Sequence, residues 1–263
     1  MKRIAYLSGC LSAALLMTAF SWLSTKPVLY MVGDSTMANK VLEDNPERGW
    51  GQLLPEFFND DIVIENHAMN GRSSRSFIYE GRWDSVMNKL KKGDFVAIQF
   101  GHNDESIQKL ERYCTPTEYR YNLTRFIRDL RNKGGNPILC TSVQRRKFDE
   151  NGVFQDTHGD YPKYVRELAS QLNVPLVDMQ KKSEKVILEH GEEGSKKIFL
   201  HIGPGVYKSL PDGKVDNTHF SPYGARLMAS LFCEGLKEIN NDLVNYFNPE
   251  YIKTRSIGNG VRE

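Results

Sequence analysis

Short apolar runs alternate with amphipathic stretches along nearly the whole chain. Residues 28–32, 62–64, 95–100, 138–143 and 174–177 are mostly apolar and bounded by turn residues, the pattern of strands buried on both faces. Between them, residues 51–58, 73–90 with a break at Gly81, 116–132, 161–172 and 181–190 repeat apolar positions at helical spacing. Local punctuation agrees. Thr115 is placed to cap the helix that begins at Pro116, Glu118 to complete a capping box, and Gly134-Gly135 to stop it. Ser221 caps a last helix, with Pro222 at its first position, running to about Ile239. Asn151-Gly152 marks a hairpin-like excursion between Phe148 and Phe154, and residues 199–215, rich in glycine and proline, read as a long loop. Strands alternating with helices imply parallel pairing and a three-layer α/β domain. In such sheets ligands bind beyond the carboxyl ends of the strands. No internal repeat or second domain is visible, and the polar segment from Asn248 onward is expected to be loosely held.

The N-terminus changes this picture. Lys2 and Arg3 precede a mostly apolar run, and Ala19-Phe20-Ser21 offers small residues at a cleavage site. Residues 1–21 therefore read as a signal peptide and 22–263 as one domain, secreted or periplasmic. The same run would serve an uncleaved anchor, and Leu7-Ser8-Gly9-Cys10 resembles a lipoprotein cleavage box. Stable membrane insertion of the mature domain is not expected. Lys2 and Arg3 account for two of the 35 basic residues, so the remainder balances the 33 acidic ones. A near-neutral domain lacks the basic surplus of a nucleic-acid binder. Beyond the leader stand Cys114, Cys140 and Cys233, too few for a disulfide framework, and no Cys/His spacing suggests a metal. A monomer is expected.

Four separated motifs carry chemistry: Gly33-Asp34-Ser35-Thr36, Asn70-Gly71-Arg72, Gly101-His102-Asn103-Asp104 and Asp216-Asn217-Thr218-His219. Ser35, Gly71 and Asn103 each follow a predicted strand, which puts them on one rim of the sheet. Ser35 alone could simply cap a helix. With His219 as base, and Asp216 in a loop bonded to the Nδ1 hydrogen of that imidazole, it becomes a nucleophile. The Ser35 and Gly71 amides and the Asn103 side chain can together bind an oxyanion. Glycine suits this place because no side chain blocks close approach.

These blocks, in this order and at these separations, resemble the SGNH (GDSL-type) hydrolases over nearly the whole mature chain. The resemblance implies a flavodoxin-like sheet of five parallel strands in an αβα sandwich, with the roles just given and no metal or organic cofactor. The longer strings Gly33-Asp34-Ser35-Thr36-Met37-Ala38, Gly49-Trp50-Gly51, the run from Asn70 to Phe77, Gln99-Phe100-Gly101-His102-Asn103-Asp104 and Thr218-His219-Phe220-Ser221 are similar to rhamnogalacturonan acetylesterases (carbohydrate esterase family twelve). They imply removal of acetyl groups from an acetylated pectic polysaccharide or oligosaccharide. Galacturonate carries a carboxylate, which arginine reads well. Arg75, Arg145 and Arg146 are the candidate contacts, with His158 on the excursion and Trp50, Tyr79 and Trp83 as possible stacking surfaces. Two other readings stay open: an SGNH enzyme acting on acetylated xylan, a lipid or a thioester, and a non-catalytic sugar-binding protein on the same scaffold.

Overall fold

The computed structural model describes residues 26–251. The expected leader, with its cleavage site and Cys10, lies outside the described residues. Five strands, β1 (Val28–Gly33), β2 (Val63–Asn66), β3 (Phe95–Gln99), β4 (Asn136–Cys140) and β5 (Leu176–Val177), form one sheet in the order β2-β1-β3-β4-β5. All four pairings are parallel. Because side chains alternate across a strand, the apolar runs feed two cores. Leu29, Met31, Phe95, Ala97, Ile138 and Cys140 point into one; Tyr30, Val32, Val96, Ile98 and Leu139 point into the other. The first core is closed by α1 (Trp50–Leu53), α6 (Met179–Gly194) and α7 (Pro222–Glu238); the second by α2 (Ser74–Tyr79), α3 (Arg82–Lys89), α4 (Pro116–Asn132) and α5 (Tyr161–Gln171). Three layers result, as the sequence pattern predicts. Among the described residues no helix is long and apolar enough to cross a membrane. Cys114, Cys140 and Cys233 are all buried.

Three expectations need correction. The helical stretch at 51–58 is one α turn, Trp50–Leu53, followed by a 3-10 turn, Leu54–Phe57. Pro55 lacks the N–H that would continue the α ladder. At α4 the Thr115 hydroxyl accepts from the Glu118 amide, but the Glu118 carboxylate turns to Arg75 at 3.3 Å instead of closing a capping box. Residues 199–215 are more than a loop. They hold β6 (Phe199–Ile202) and the start of β7 (Lys214–Phe220), an antiparallel pair outside the main sheet. The glycines and prolines lie at the turn between these strands, where they mask the flanking strand signal.

The strand ends are fixed by register and by buried polar groups. Gly33 pairs with Gln99, so β1 and β3 end side by side where the strand order reverses. Gly101 follows with φ +147, and a Cβ there would lie 2.2 Å from the Ser142 Oγ. Behind it, Asp104 is fully buried and accepts hydrogen bonds from the Ser74 amide (2.9 Å) and hydroxyl (2.6 Å), anchoring the N-terminus of α2. Burial pushes the Asp104 carboxyl up to about 7, because these two donors only partly replace lost hydration.

Two measurements check these constraints. Gly101→Ala combines a disfavoured backbone with an overlap and should cost about 3 kcal/mol or more in urea unfolding. Adding Ser142→Ala removes the overlapping oxygen, so the double variant should be more stable than Gly101→Ala alone. Between about pH 4 and 7, folded Asp104 keeps a proton that the unfolded chain has released. Its contribution to stability therefore falls as pH rises, by at most about 1.4 kcal/mol per pH unit, and levels off above 7. The stability difference between the wild type and Asp104→Asn should follow that course; a difference constant from pH 4.5 to 8 would contradict it.

Candidate active site

Ser35 leaves β1 at a turn held by its neighbours. Asp34, fully buried, accepts from the Thr36 amide (2.9 Å) and hydroxyl (2.8 Å) through one oxygen. Its other oxygen faces the His102 Nδ1 at 3.2 Å. Burial pushes His102 down to about 4, so the ring is neutral at neutral pH and its Nδ1–H donates to Asp34. Burial alone would raise the Asp34 carboxyl; the hydrogen bonds from His102 and Thr36 outweigh it and hold it below its ordinary value. The turns after β1 and β3 are thus tied together through side chains.

His219 and Asp216 both lie on β7. In a regular strand, residues three apart face opposite sides. Here the register breaks: Asp216 pairs with Leu200 and Phe220 with Phe199, so residues 217–219 bulge out against a single step of β6. Asp216 Oδ1 accepts from the Thr218 amide (2.8 Å) and the His219 amide (3.0 Å), closing the bulge. Asp216 Oδ2 then meets His219 Nδ1 at 2.8 Å, and His219 Nε2 lies 2.9 Å from Ser35 Oγ. This fixes the tautomer: Nδ1–H donates to the carboxylate, and Nε2 accepts from the serine hydroxyl. Burial would raise the Asp216 carboxyl, but the His219 ring and the bulge amides hold it well below the usual carboxylate range. Lys214 Nζ stands 3.2 Å from the same oxygen and 3.7 Å from Glu47.

A cavity of about 420 Å³ opens beside Ser35, lined also by Asn70, Gly71, His102, Asn103, Thr218 and His219. Gly71 has φ +74, a conformation that favours glycine. Among the described residues, the Ser35 and Gly71 amides donate to no other group. Asn103 Nδ2 donates one hydrogen to the Arg72 carbonyl at 3.0 Å, leaving its second free, and its oxygen accepts from Arg112 Nη1 at 3.0 Å. A hydroxyl, an imidazole and a carboxylate in series beside three available N–H groups can deprotonate the hydroxyl and hold an anion next to it.

Of the four candidate substrate contacts, only Arg145 lines this cavity. It is held by Glu105 at 2.6 Å and by Thr157 at 3.0 Å. Burial would raise Glu105, but hydrogen bonding to His158 and the Arg145 charge hold it below its ordinary value. Arg75 lies elsewhere, paired with Glu118 and donating to the Tyr113 carbonyl. Arg146 is buried beneath β7, donating to the Glu192 carbonyl (2.7 Å), Ser195 Oγ (3.1 Å) and Asn217 Oδ1 (3.3 Å). His158 is 1% exposed between Glu105 and the Val143 carbonyl. These last two support the site from behind and do not face it. Trp50 and Trp83 are core residues, and Tyr79 is exposed away from the cavity. Sequence reasoning missed Glu47, Lys109 and Arg112, which line the cavity from irregular segments with no periodicity.

The family model for the GDSL-like lipase/acylhydrolase family matches residues 31–227. The chain is 38% identical to rhamnogalacturonan acetylesterase RhgT of Bacillus subtilis over 222 residues, 84% of this chain and 94% of that one. It is 27% identical to a rhamnogalacturonan acetylesterase of Emericella nidulans, covering 79% of this chain and 84% of the relative. Among solved structures, Bacillus subtilis YxiM superimposes with a TM-score of 0.71 at 24% identity, over 83% of this chain but only 58% of the larger YxiM. Axe2, an acetylxylan esterase from Geobacillus stearothermophilus, gives a TM-score of 0.55 at 21% identity, over 82% and 95% of the two chains. Matching both the family model and a relative across most of its length, the chain belongs to the GDSL-like lipase/acylhydrolase family.

Proposed function

We propose that the protein is a secreted carbohydrate esterase that removes acetyl groups from rhamnogalacturonan through an acyl-enzyme. The observation that carries this reading is the line from Asp216 through His219 to Ser35, with contacts of 2.8 and 2.9 Å, opening on a cavity with three available N–H donors. The rhamnogalacturonan acetylesterase relatives support the substrate. In the first step Ser35 Oγ attacks the acetyl carbonyl carbon as its proton passes to His219 Nε2. The carbonyl oxygen becomes an oxyanion held by the Ser35 and Gly71 amides and Asn103 Nδ2. Collapse breaks the bond to the sugar oxygen, which leaves with the proton from His219. Water, deprotonated by the same imidazole, then attacks the acetyl-serine. Acetate departs and the proton returns to Ser35. Asp216 stays ionised throughout, steadying the imidazolium. A binding module would have no use for a hydroxyl set against an oriented base.

Acetate release from acetylated rhamnogalacturonan should exceed that from acetylated xylan or a short synthetic ester. Ser35→Ala should lower kcat by about a million-fold and abolish labelling by a fluorophosphonate. Asn103→Ala should lower kcat by about 10²–10³-fold with KM little changed, because its amide acts on charge that develops only in the transition state. Full activity in Ser35→Ala would sink the mechanism, and faster release from xylan would sink the substrate assignment.

A further inference from the structure

The cavity beside Ser35 carries weakly compensated positive charge on one wall. Its ionisable lining, the two histidines aside, is Glu47, Lys109, Arg112 and Arg145. Two of these are neutralised by dedicated partners: Glu47 by the buried Lys40 at 2.7 Å, and Arg145 by Glu105 at 2.6 Å. Lys109 has none, and Arg112 pairs only with its exposed neighbour Glu111 at 3.2 Å. Among the described residues the Lys109 ammonium makes no ion pair or hydrogen bond. Arg112 Nε faces only the neighbouring Glu111, whose side chain is 67% exposed, and Nη2 donates to nothing among the described residues.

The two cations are presented together. The Arg112 and Tyr113 amides both donate to the Lys109 carbonyl (3.0 and 2.9 Å), and the Lys109 amide donates to that of Ser106, so residues 106–113 wind like a helical turn. Residues three apart on such a turn share a side. The Arg112 guanidinium is pinned by Asn103, and its Nη1 lies 3.3 Å from where a Cβ on Gly71 would stand. A fixed planar donor therefore flanks the oxyanion donors, with Nη2 and the second Nη1 hydrogen unspent. That geometry suits a carboxylate, which accepts two parallel N–H bonds, better than an uncharged hydroxyl.

We propose that Arg112 and Lys109 form a carboxylate subsite that binds a galacturonate of the polysaccharide while its acetyl ester lies at Ser35. This inference rests on the rhamnogalacturonan reading above and adds its selectivity device. Acidic acetylated chains are favoured over neutral ones because only they have a charge to place there. Arg145, already held by Glu105, takes no part in the selection.

The test compares kcat/KM for acetate release from one acetylated galacturonate-containing oligosaccharide in two forms, with free carboxylates and with methyl-esterified ones. The wild type should prefer the free form by about tenfold or more, and raising salt should erode that preference as ions screen the cations. Lys109→Gln should lose part of the preference, and Lys109→Gln/Arg112→Gln nearly all of it. Both forms use the same oxyanion donors, so the ratio is insensitive to any effect of Arg112 on Asn103. Lys109 is exposed, so its single variant remains informative if the double variant folds poorly. Undiminished preference in both variants, or in Lys109→Gln when the double variant fails to fold, overturns the subsite. Equal cleavage of both forms by the wild type also overturns it, while leaving the acetylesterase reading intact. Failure to cleave either form, with acetylated xylan still cleaved, overturns both.

Discussion

The site is organised around a buried charge. Asp34 has no contact with water, and moving a carboxylate into such a place costs several kcal/mol unless donors replace its hydration. Its donors come from two strand ends: Thr36 after β1 and His102 after β3. The Thr36 hydroxyl in turn accepts from Gln99 Nε2 at 2.8 Å, and Gln99 Oε1 accepts from the Trp50 indole at 3.1 Å. The turn carrying Ser35 is therefore fixed by a polar chain running from α1 through β3. Any shift of Ser35 would strand a buried donor or acceptor, which makes its position far stiffer than that of an ordinary exposed serine.

The His219 imidazole reaches Ser35 by a different device. An antiparallel pair outside the main sheet offers no strand end to build on, and strand periodicity alone would send His219 and Asp216 to opposite faces. The bulge at residues 217–219 solves this by making the Asp216 side chain the acceptor for the amides it would otherwise leave unpaired. One carboxylate thus shapes the backbone with one oxygen and orients the imidazole with the other. Arg146 holds the bulge from below: its amide donates to the Asn217 carbonyl and its guanidinium to the Asn217 side chain. An arginine suited by chemistry to read substrate is used here as a strut.

That difference marks how far the sequence could be read. Buried parallel strands announce themselves as apolar runs, so the sheet, its layers and the rim holding Ser35, Gly71 and Asn103 were legible from periodicity. The blocks around Ser35 and His219 were legible because their residue types and order match a known family. The fate of each arginine was not. Whether Arg75, Arg112, Arg145 or Arg146 faces the cavity depends on which carboxylate or carbonyl each meets in space. Those partners, Glu118, Asn103, Glu105 and Glu192, lie 43, 9, 40 and 46 residues away. No local pattern encodes such pairings. The strands flanking residues 203–213 were hidden for a related reason: the glycines and prolines of their turn outweigh two short strand signals.

Asp34 and Asp104 show how the same burial yields opposite charge states. Both are fully enclosed, and desolvation drives both carboxyls upward. Asp34 has three donors, one of them an imidazole, and stays ionised. Asp104 has the amide and hydroxyl of Ser74 and a weak thiol neighbour in Cys114, and one of its oxygens has no partner among the described residues. The negative charge on Asp34 adds to the pressure on Asp104, as expected for two carboxylates sharing a low-dielectric region. Ionising both would require a further cation beneath the site. Arg145, which bonds the His102 carbonyl, is taken by Glu105. The fold instead keeps its charge where it orients Ser35 and lets the second aspartate, which holds its proton below about pH 7, serve as a strut for α2. The loop bearing Asn103 and the turn bearing Ser35 can then be packed together without mutual repulsion.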